Sequence, residues 1–328
     1  MAAHREHRSG VIHRLRVASF GLAIALAVCG LSPAHAQTAG GARTALRVAY
    51  IPVIPWLTAW IAKDRGFFEQ HGLDVSLTLI QNISLLPPTM GRQFDIAAST
   101  APDLLKASLS SLDVVAVSGN TVEPTANQSM QLIVRADSGI KGPKDLVGKL
   151  VAAPTIGAVM HAATLYWLKT NGVDPNSIRA IEVPFPNMGD QLKAGRVDAI
   201  EILHPFVGQL LAAGNVTIGN PMLSVADPGL FTFWIAQGAW ARANPAVIAQ
   251  WTAALNDARH FVETNPTEAR TILGKYTKLP DAVTQKIPFP AYDISIAPGQ
   301  LDVWVKVLRE IGQLAGPVDV SRLVVSAK

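Results

Sequence analysis

The chain has 328 residues, of which 49% are hydrophobic and 16% charged, with 28 basic and 24 acidic side chains for a formal net charge of +4. This supplies ample apolar material for a buried core and lacks the dense basic stripe with which proteins displace counterions from nucleic acid. A single cysteine, Cys29, excludes a disulfide framework and any site built on several thiolates.

Residues 1–36 have the form of an export signal. Arg5, Arg8, Arg14 and Arg16 make a basic start, an apolar run extends from Val17 to Val28, and Ala34-His35-Ala36 gives the small-x-small cleavage pattern. The apolar run is shorter than the roughly 20 residues of a membrane-spanning helix. A lipid anchor at Cys29 is the alternative. Lipidation wants a small residue before the cysteine, and Val28 stands there, so cleavage after Ala36 and release into the periplasm are expected. The segment removed holds four arginines and one glutamate, so residues 37–328 carry +4 minus +3, or +1, and no cysteine. That length fills one large domain or two of ordinary size.

Beyond residue 37, short β-branched runs alternate with amphipathic stretches, the βαβ signature of a largely parallel sheet. Strands are predicted at Leu46–Ile51, Val75–Ile80, Phe94–Ala98, Val114–Val117, Gln131–Val134, Leu150–Ala153, Ile178–Glu182 and Ala199–Ile202. Helices are predicted at Trp56–Lys63, stopped by Gly66, and at Val159–Thr170, closed by Asn171-Gly172. From Ala246 the pattern turns helical, through Ala246–Thr264, Thr267–Tyr276 and Gln300–Leu314, with breaks at Asn265-Pro266 and Pro298-Gly299. Two polar, glycine-containing breaks, Ala136–Ile140 and Asp227-Pro228-Gly229, are expected to carry the chain between lobes. They give a discontinuous first lobe (37–136 plus 228–328) and an inserted second lobe (137–227). One continuous sheet fits the same pattern.

The order of motifs has a family resemblance. Leu46–Pro52 is followed by Asp64-Arg65-Gly66-Phe67-Phe68-Glu69-Gln70-His71-Gly72-Leu73-Asp74-Val75. Phe94-Asp95-Ile96-Ala97, Lys144–Lys149, Gly195-Arg196-Val197-Asp198-Ala199, Asn244–Val247 and Asn265–Ala269 come later. Together they resemble the nitrate/sulfonate/taurine family of periplasmic solute-binding proteins that serve ABC importers. The resemblance implies an α/β, two-lobed fold of type II-like architecture, each lobe a mixed sheet flanked by helices. It also implies closure on a small-molecule ligand between the lobes, and an inner-membrane permease with its ATPase as partner.

In open α/β sheets, ligands sit beyond the carboxyl ends of strands, where helix N-termini point. Three segments meet that description. Ser99 and Thr100 follow one strand, Thr155, Ile156, Gly157 and Ala158 follow another, and Pro52–Trp56 adds an aromatic at Trp56. Ser99 and Thr155 serve equally well as plain helix caps. His204 departs from the family, which commonly places an acidic residue before the proline. A histidine there disfavours a ligand amine and suits a carboxylate or similar acceptor, with a wall-forming role as the alternative. Phe231 and Phe233 fall on one side of an alternating run, and Phe231 is placed in the cleft. Asn120 and Glu123 are expected in a loop after Val114–Val117, as further candidates for ligand contact.

These residues point to capture of a small, anionic organic solute, with no cofactor, no metal and no catalytic residue. Neither G-x-S-x-G nor H-E-x-x-H occurs, and His71, His161, His204 and His260 are scattered. An enzyme related to thiamine-pyrimidine biosynthesis would need cysteine chemistry that residues 37–328 lack. A periplasmic ligand-sensing protein would share the fold and the cleft.

Overall fold

The computed structural model describes residues 42–325. The export segment expected within residues 1–36, Cys29 included, lies outside the described residues. Thr44–Tyr50 forms β1, where Leu46 and Val48 are buried and Arg47 between them turns outward to pair with Asp95 at 2.7 Å. Pro55, in a short 3-10 turn, leads into α1 (Leu57–Asp64), since its fixed φ suits a helix start. Gly66, at φ +72°, turns the chain out of that helix, a conformation that costs glycine little. After α2 (Phe67–Gln70), β2 (Leu73–Leu79) returns parallel to β1. Then β3 (Ile96–Ser99) lies along the other side of β1, followed by α3 (Ala101–Leu109) and β4 (Val114–Glu123).

The chain then enters a second sheet. It contains β5 (Met130–Arg135), β6 (Leu150–Ala153), β7 (Arg179–Glu182), β8 (Ala199–Leu203) and β9 (Asn215–Gly219), in the order β7-β6-β8-β5-β9. Helices α4 (Val159–Thr170), α5 (Phe185–Lys193) and α6 (Phe206–Ala212) connect these strands. Side-chain alternation buries both faces. Leu132, Val134, Val151 and Ala199 pack with Leu168 of α4, while Ile133, Ile200 and Ile202 pack with Met188 and Leu192 of α5.

From β10 (Gly229–Gln237) the chain is back in the first sheet, whose order is β11-β4-β10-β3-β1-β2, with β11 spanning Ala291–Tyr292. Helices α7 (Gly238–Ala243), α8 (Pro245–Thr264), α9 (Pro266–Thr277), α10 (Asp281–Thr284) and α11 (Pro298–Glu310) complete this lobe. Both sheets mix parallel and antiparallel pairs, so the chain has the expected two-lobed α/β fold.

Two expectations need correction. The strand predicted to end at Val117, β4, runs on to Glu123, because its polar residues are satisfied inside the lobe. Ser118 Oγ accepts the Trp251 indole N–H at 3.1 Å, and Asn120 and Thr121 bond to Thr232. Asn120 and Glu123 are therefore strand residues. The chain also leaves the first sheet at 124–129, not at Ala136–Ile140, since β5 pairs with β8 and β9. The glycine turn after β5 stays beside the second sheet. The return passage, 220–228, includes Asp227-Pro228.

The lobes touch along α4. Its Val159, Met160, Ala163 and Tyr166 join the core of the first lobe, while Leu168 packs into the second. Lys106 Nζ of α3 donates to the Gly157 carbonyl at 2.6 Å, and Lys169 Nζ donates to the Glu310 carbonyl of α11 at 2.5 Å.

Candidate functional site

A cavity of about 460 Å3 lies between the two sheets, within the size range of small-molecule sites. Its walls are the segments just past the carboxyl ends of β1, β2, β3, β6, β7 and β8, plus the start of β10, where helix N-termini and open loops converge. Two other depressions, of about 570 and 490 Å3, are each confined to one lobe. The wall is mainly apolar. Trp56, Phe231, Ile51 and Val53 come from the first lobe, and Phe185, Phe206, Met160 and Leu203 from the second. Prolines 52, 55, 154, 184 and 186 stiffen the loops between them. The polar lining consists of Gln81, Asn82, Thr100, Thr155, Thr232 and Glu182. Among the described residues, no lysine, arginine or histidine lines the cavity.

Five of the ten expected ligand residues line it: Trp56, Thr100, Thr155, Ala158 and Phe231. Trp56 is 1% exposed and meets Trp234 edge-on at 4.7 Å. The Thr100 hydroxyl donates to Asp103 Oδ2 at 2.5 Å, and Ser84 Oγ donates to Asp103 Oδ1 at 2.6 Å. The N-terminus of α3 is thus already matched by its own buried carboxylate, whose pKa burial pushes up. Phe231 and its neighbour Thr232 both face the cavity. Strict alternation would put adjacent residues on opposite faces, but β10 slips register on either side of Thr232.

The other five stand off the cavity wall. Ser99 is fully buried, with its hydroxyl donating to the Thr100 carbonyl at 3.4 Å. Asn120 acts from behind. Its Nδ2 donates to the Pro55 carbonyl at 2.8 Å and to Thr232 Oγ1 at 2.9 Å, and its Oδ1 accepts from Thr58 Oγ1 at 3.0 Å. It therefore fixes two wall segments at once. Ile156 is exposed, and its N–H donates to Glu182 Oε1 at 2.8 Å. Gly157, at φ +78°, turns its carbonyl to Lys106. Sequence reasoning missed Phe185, Phe206, Glu182, Gln81 and Asn82. The rule that ligands sit past strand ends points to β7 and the Pro184-Phe185-Pro186 run as well as to β3 and β6.

His204 is half-buried, and desolvation lowers its pKa from 6.5 to about 4. His204 does not line the cavity, and its ring stays neutral down to about pH 4. Ligand affinity should then change little between pH 5.5 and 8 in calorimetry. Stability should change. The unfolded ring takes up a proton as pH falls through 6.5, while the folded ring refuses it until about 4. Stability present above pH 6.5 is therefore lost across that window, by up to about 3 kcal/mol. Urea melts at pH 7 and 4.5 should show this loss in the native chain and a clearly smaller one in His204→Asn.

A family model described as NMT1/THI5 like matches residues 57–269. A Brachyspira hyodysenteriae protein, whose name provisionally assigns it to the ABC transporter periplasmic binding proteins, is 22% identical over 258 residues. The match covers 74% of this chain and 72% of that one. Among solved structures, the alkanesulfonate-binding protein SsuA of Xanthomonas axonopodis pv. citri, bound to MOPS, superposes with a TM-score of 0.73. It is 21% identical and covers 87% of this chain and 99% of its own. The periplasmic nitrate-binding protein NrtA of Synechocystis PCC 6803 gives 0.69 at 14% identity, covering 85% and 84%.

Proposed function

The chain belongs to the NMT1/THI5-like family, and on that basis we propose that it is the extracytoplasmic substrate-binding component of an ABC importer. It captures a small organic solute between its lobes and presents it to an inner-membrane permease and ATPase. The observation that carries this reading is the cavity itself, which takes its walls from strand ends of both lobes. Among the described residues the chain crosses between the lobes at two passages, 124–129 and 220–228, an arrangement suited to hinge closure. The names of the structural neighbours, for sulfonate and nitrate, support an anionic group on the solute. The N-terminus of α4 on the cavity wall supports it too, since helix N-termini favour negative charge.

A thermal-shift screen of the purified protein should identify the solute, because a ligand at 100 times its dissociation constant adds about 2.7 kcal/mol of stability. The same compound should be recovered unchanged after long incubation, and its uptake by cells should fall when the gene is deleted. Turnover that scales with protein concentration would overturn the reading.

A further inference from the structure

We infer that the solute is ring-bearing and is held by its apolar body, with the charge of its polar end contributing little to affinity. This rests on the carrier reading above and narrows it.

Four aromatic side chains bound the cavity, two from each lobe. Trp56 and Phe231 form the wall on the first lobe. Opposite them, Phe185 and Phe206 lie with their rings nearly parallel, 14° apart in plane at a centroid distance of 6.2 Å. Closure on a flat apolar group would bury it from both sides, and aromatic surfaces recognise rings through offset and edge contacts. Both second-lobe rings are only half-buried. They therefore hold apolar surface that a ligand can still take out of water.

Charge around the cavity points the same way. Its single ionisable lining residue is Glu182, an acid at the rim, and the buried Asp103 lies directly behind Thr100. Lys106 is the nearby cation. Its ammonium is occupied by the Gly157 carbonyl and by Gln313 Oε1 at 3.1 Å, outside the wall. A small inorganic anion entering here would lose hydration with no cation to replace it. What remains for a polar head is neutral: Gln81, Asn82, Thr155, Thr232 and the free N–H groups that open α4. A helix N-terminus alone is worth about two- to fivefold in affinity for an anion at an exposed site and about 30-fold at most in a partly buried one.

The test is calorimetry on the purified protein with three probes: methanesulfonate, benzenesulfonate and benzenesulfonamide. The ring should raise affinity about 30- to 100-fold over the methyl compound, the value of burying one aromatic group. The neutral sulfonamide should bind within about 30-fold of the sulfonate, the most that a lone helix terminus supplies. Phe206→Ala, a change at a half-buried position, should erase most of the ring preference while leaving the melting temperature near the native value. Equal binding of methanesulfonate and benzenesulfonate would overturn the inference. So would a sulfonate preference beyond 100-fold, or no binding of either ring-bearing probe at millimolar concentration. The carrier reading fails on different outcomes, namely turnover of a bound solute or unchanged uptake on gene deletion.

Discussion

Glu123→Ala is expected to lower stability by about 3–5 kcal/mol, the range for leaving buried charged-group partners without their counterpart. Glu123 is the last residue of β4 and is fully buried. Its Oε1 accepts three N–H groups, from Ser129 at 2.7 Å, Met130 at 2.9 Å and the Asn220 side chain at 2.6 Å. Its Oε2 accepts the Ser129 hydroxyl at 2.5 Å. Ser129 ends the outward passage between the lobes, Met130 opens β5, and Asn220 begins the return passage. One carboxylate therefore ties both connections to the first sheet. A second tie lies at the surface, where Thr125 donates its N–H and hydroxyl to Asp227 at 2.9 and 2.5 Å.

Alanine would strand four donors in a site with little room for water. For a chain of this size the melting temperature should fall by roughly 10 °C, at about 2–4 °C per kcal/mol. Glu123→Gln keeps the accepting oxygen and should lose far less. Burial pushes the Glu123 pKa above its ordinary 4.5, which means the folded state holds this proton more tightly than the unfolded one. As pH rises through that window the charged form weighs on the fold, so at pH 7 a neutral isostere gives up less than four strong hydrogen bonds would imply. Scanning calorimetry of the two variants decides the matter. A loss below 1 kcal/mol in the alanine variant would show that the passages do not depend on this residue.

Trp56→Ala should remove both stability and binding. Trp56 packs edge-on against Trp234, which meets Trp251 at 5.1 Å, which in turn stacks on Phe68 at 5.0 Å. The outermost ring of this series is a wall of the cavity, so its deletion opens the core to the site. Removing a buried tryptophan costs about 3–5 kcal/mol. Loss of an aromatic anchor at the centre of a site costs about 2 kcal/mol or more in binding, some 30-fold in dissociation constant. Trp56→Phe should recover most of both. Trp234→Phe separates the two roles, since Trp234 is buried behind the wall and does not line the cavity. It should lower the melting temperature and leave affinity within about threefold, less than the weakest hot-spot effect. An affinity loss in Trp234→Phe as large as in Trp56→Ala would mean that only the fold, and no contact at Trp56, governs binding.

The order of strands and helices was legible in the sequence because it depends on local periodicity and punctuation. Leu150–Ala153 and Val159–Thr170 have the bounds their residue patterns predict, and the β-branched runs mark eight of the eleven strands among the described residues. The place of the cavity was legible for a related reason. Once parallel strands alternate with helices, their carboxyl ends gather on one side, and Trp56, Thr100, Thr155, Ala158 and Phe231 all follow or adjoin such ends.

What local pattern cannot carry is the pairing of groups far apart in the chain. The turn at Ala136–Ile140 has the same residues as a linker, and only the pairing of β5 with β8 and β9 shows that it is not one. Thr100 and the Ile156 N–H have the chemistry of ligand donors, yet Asp103 and Glu182 already accept from them. His204 has the ordinary pKa of its side chain in any sequence, and desolvation by its neighbours moves it out of the physiological range. Phe185 and Phe206 are 21 residues apart, and the fold sets their rings together on the cavity wall. Hydrogen-bond partners, burial and ring contacts are properties of position in space, and the residue types along a chain constrain them only after the chain has folded.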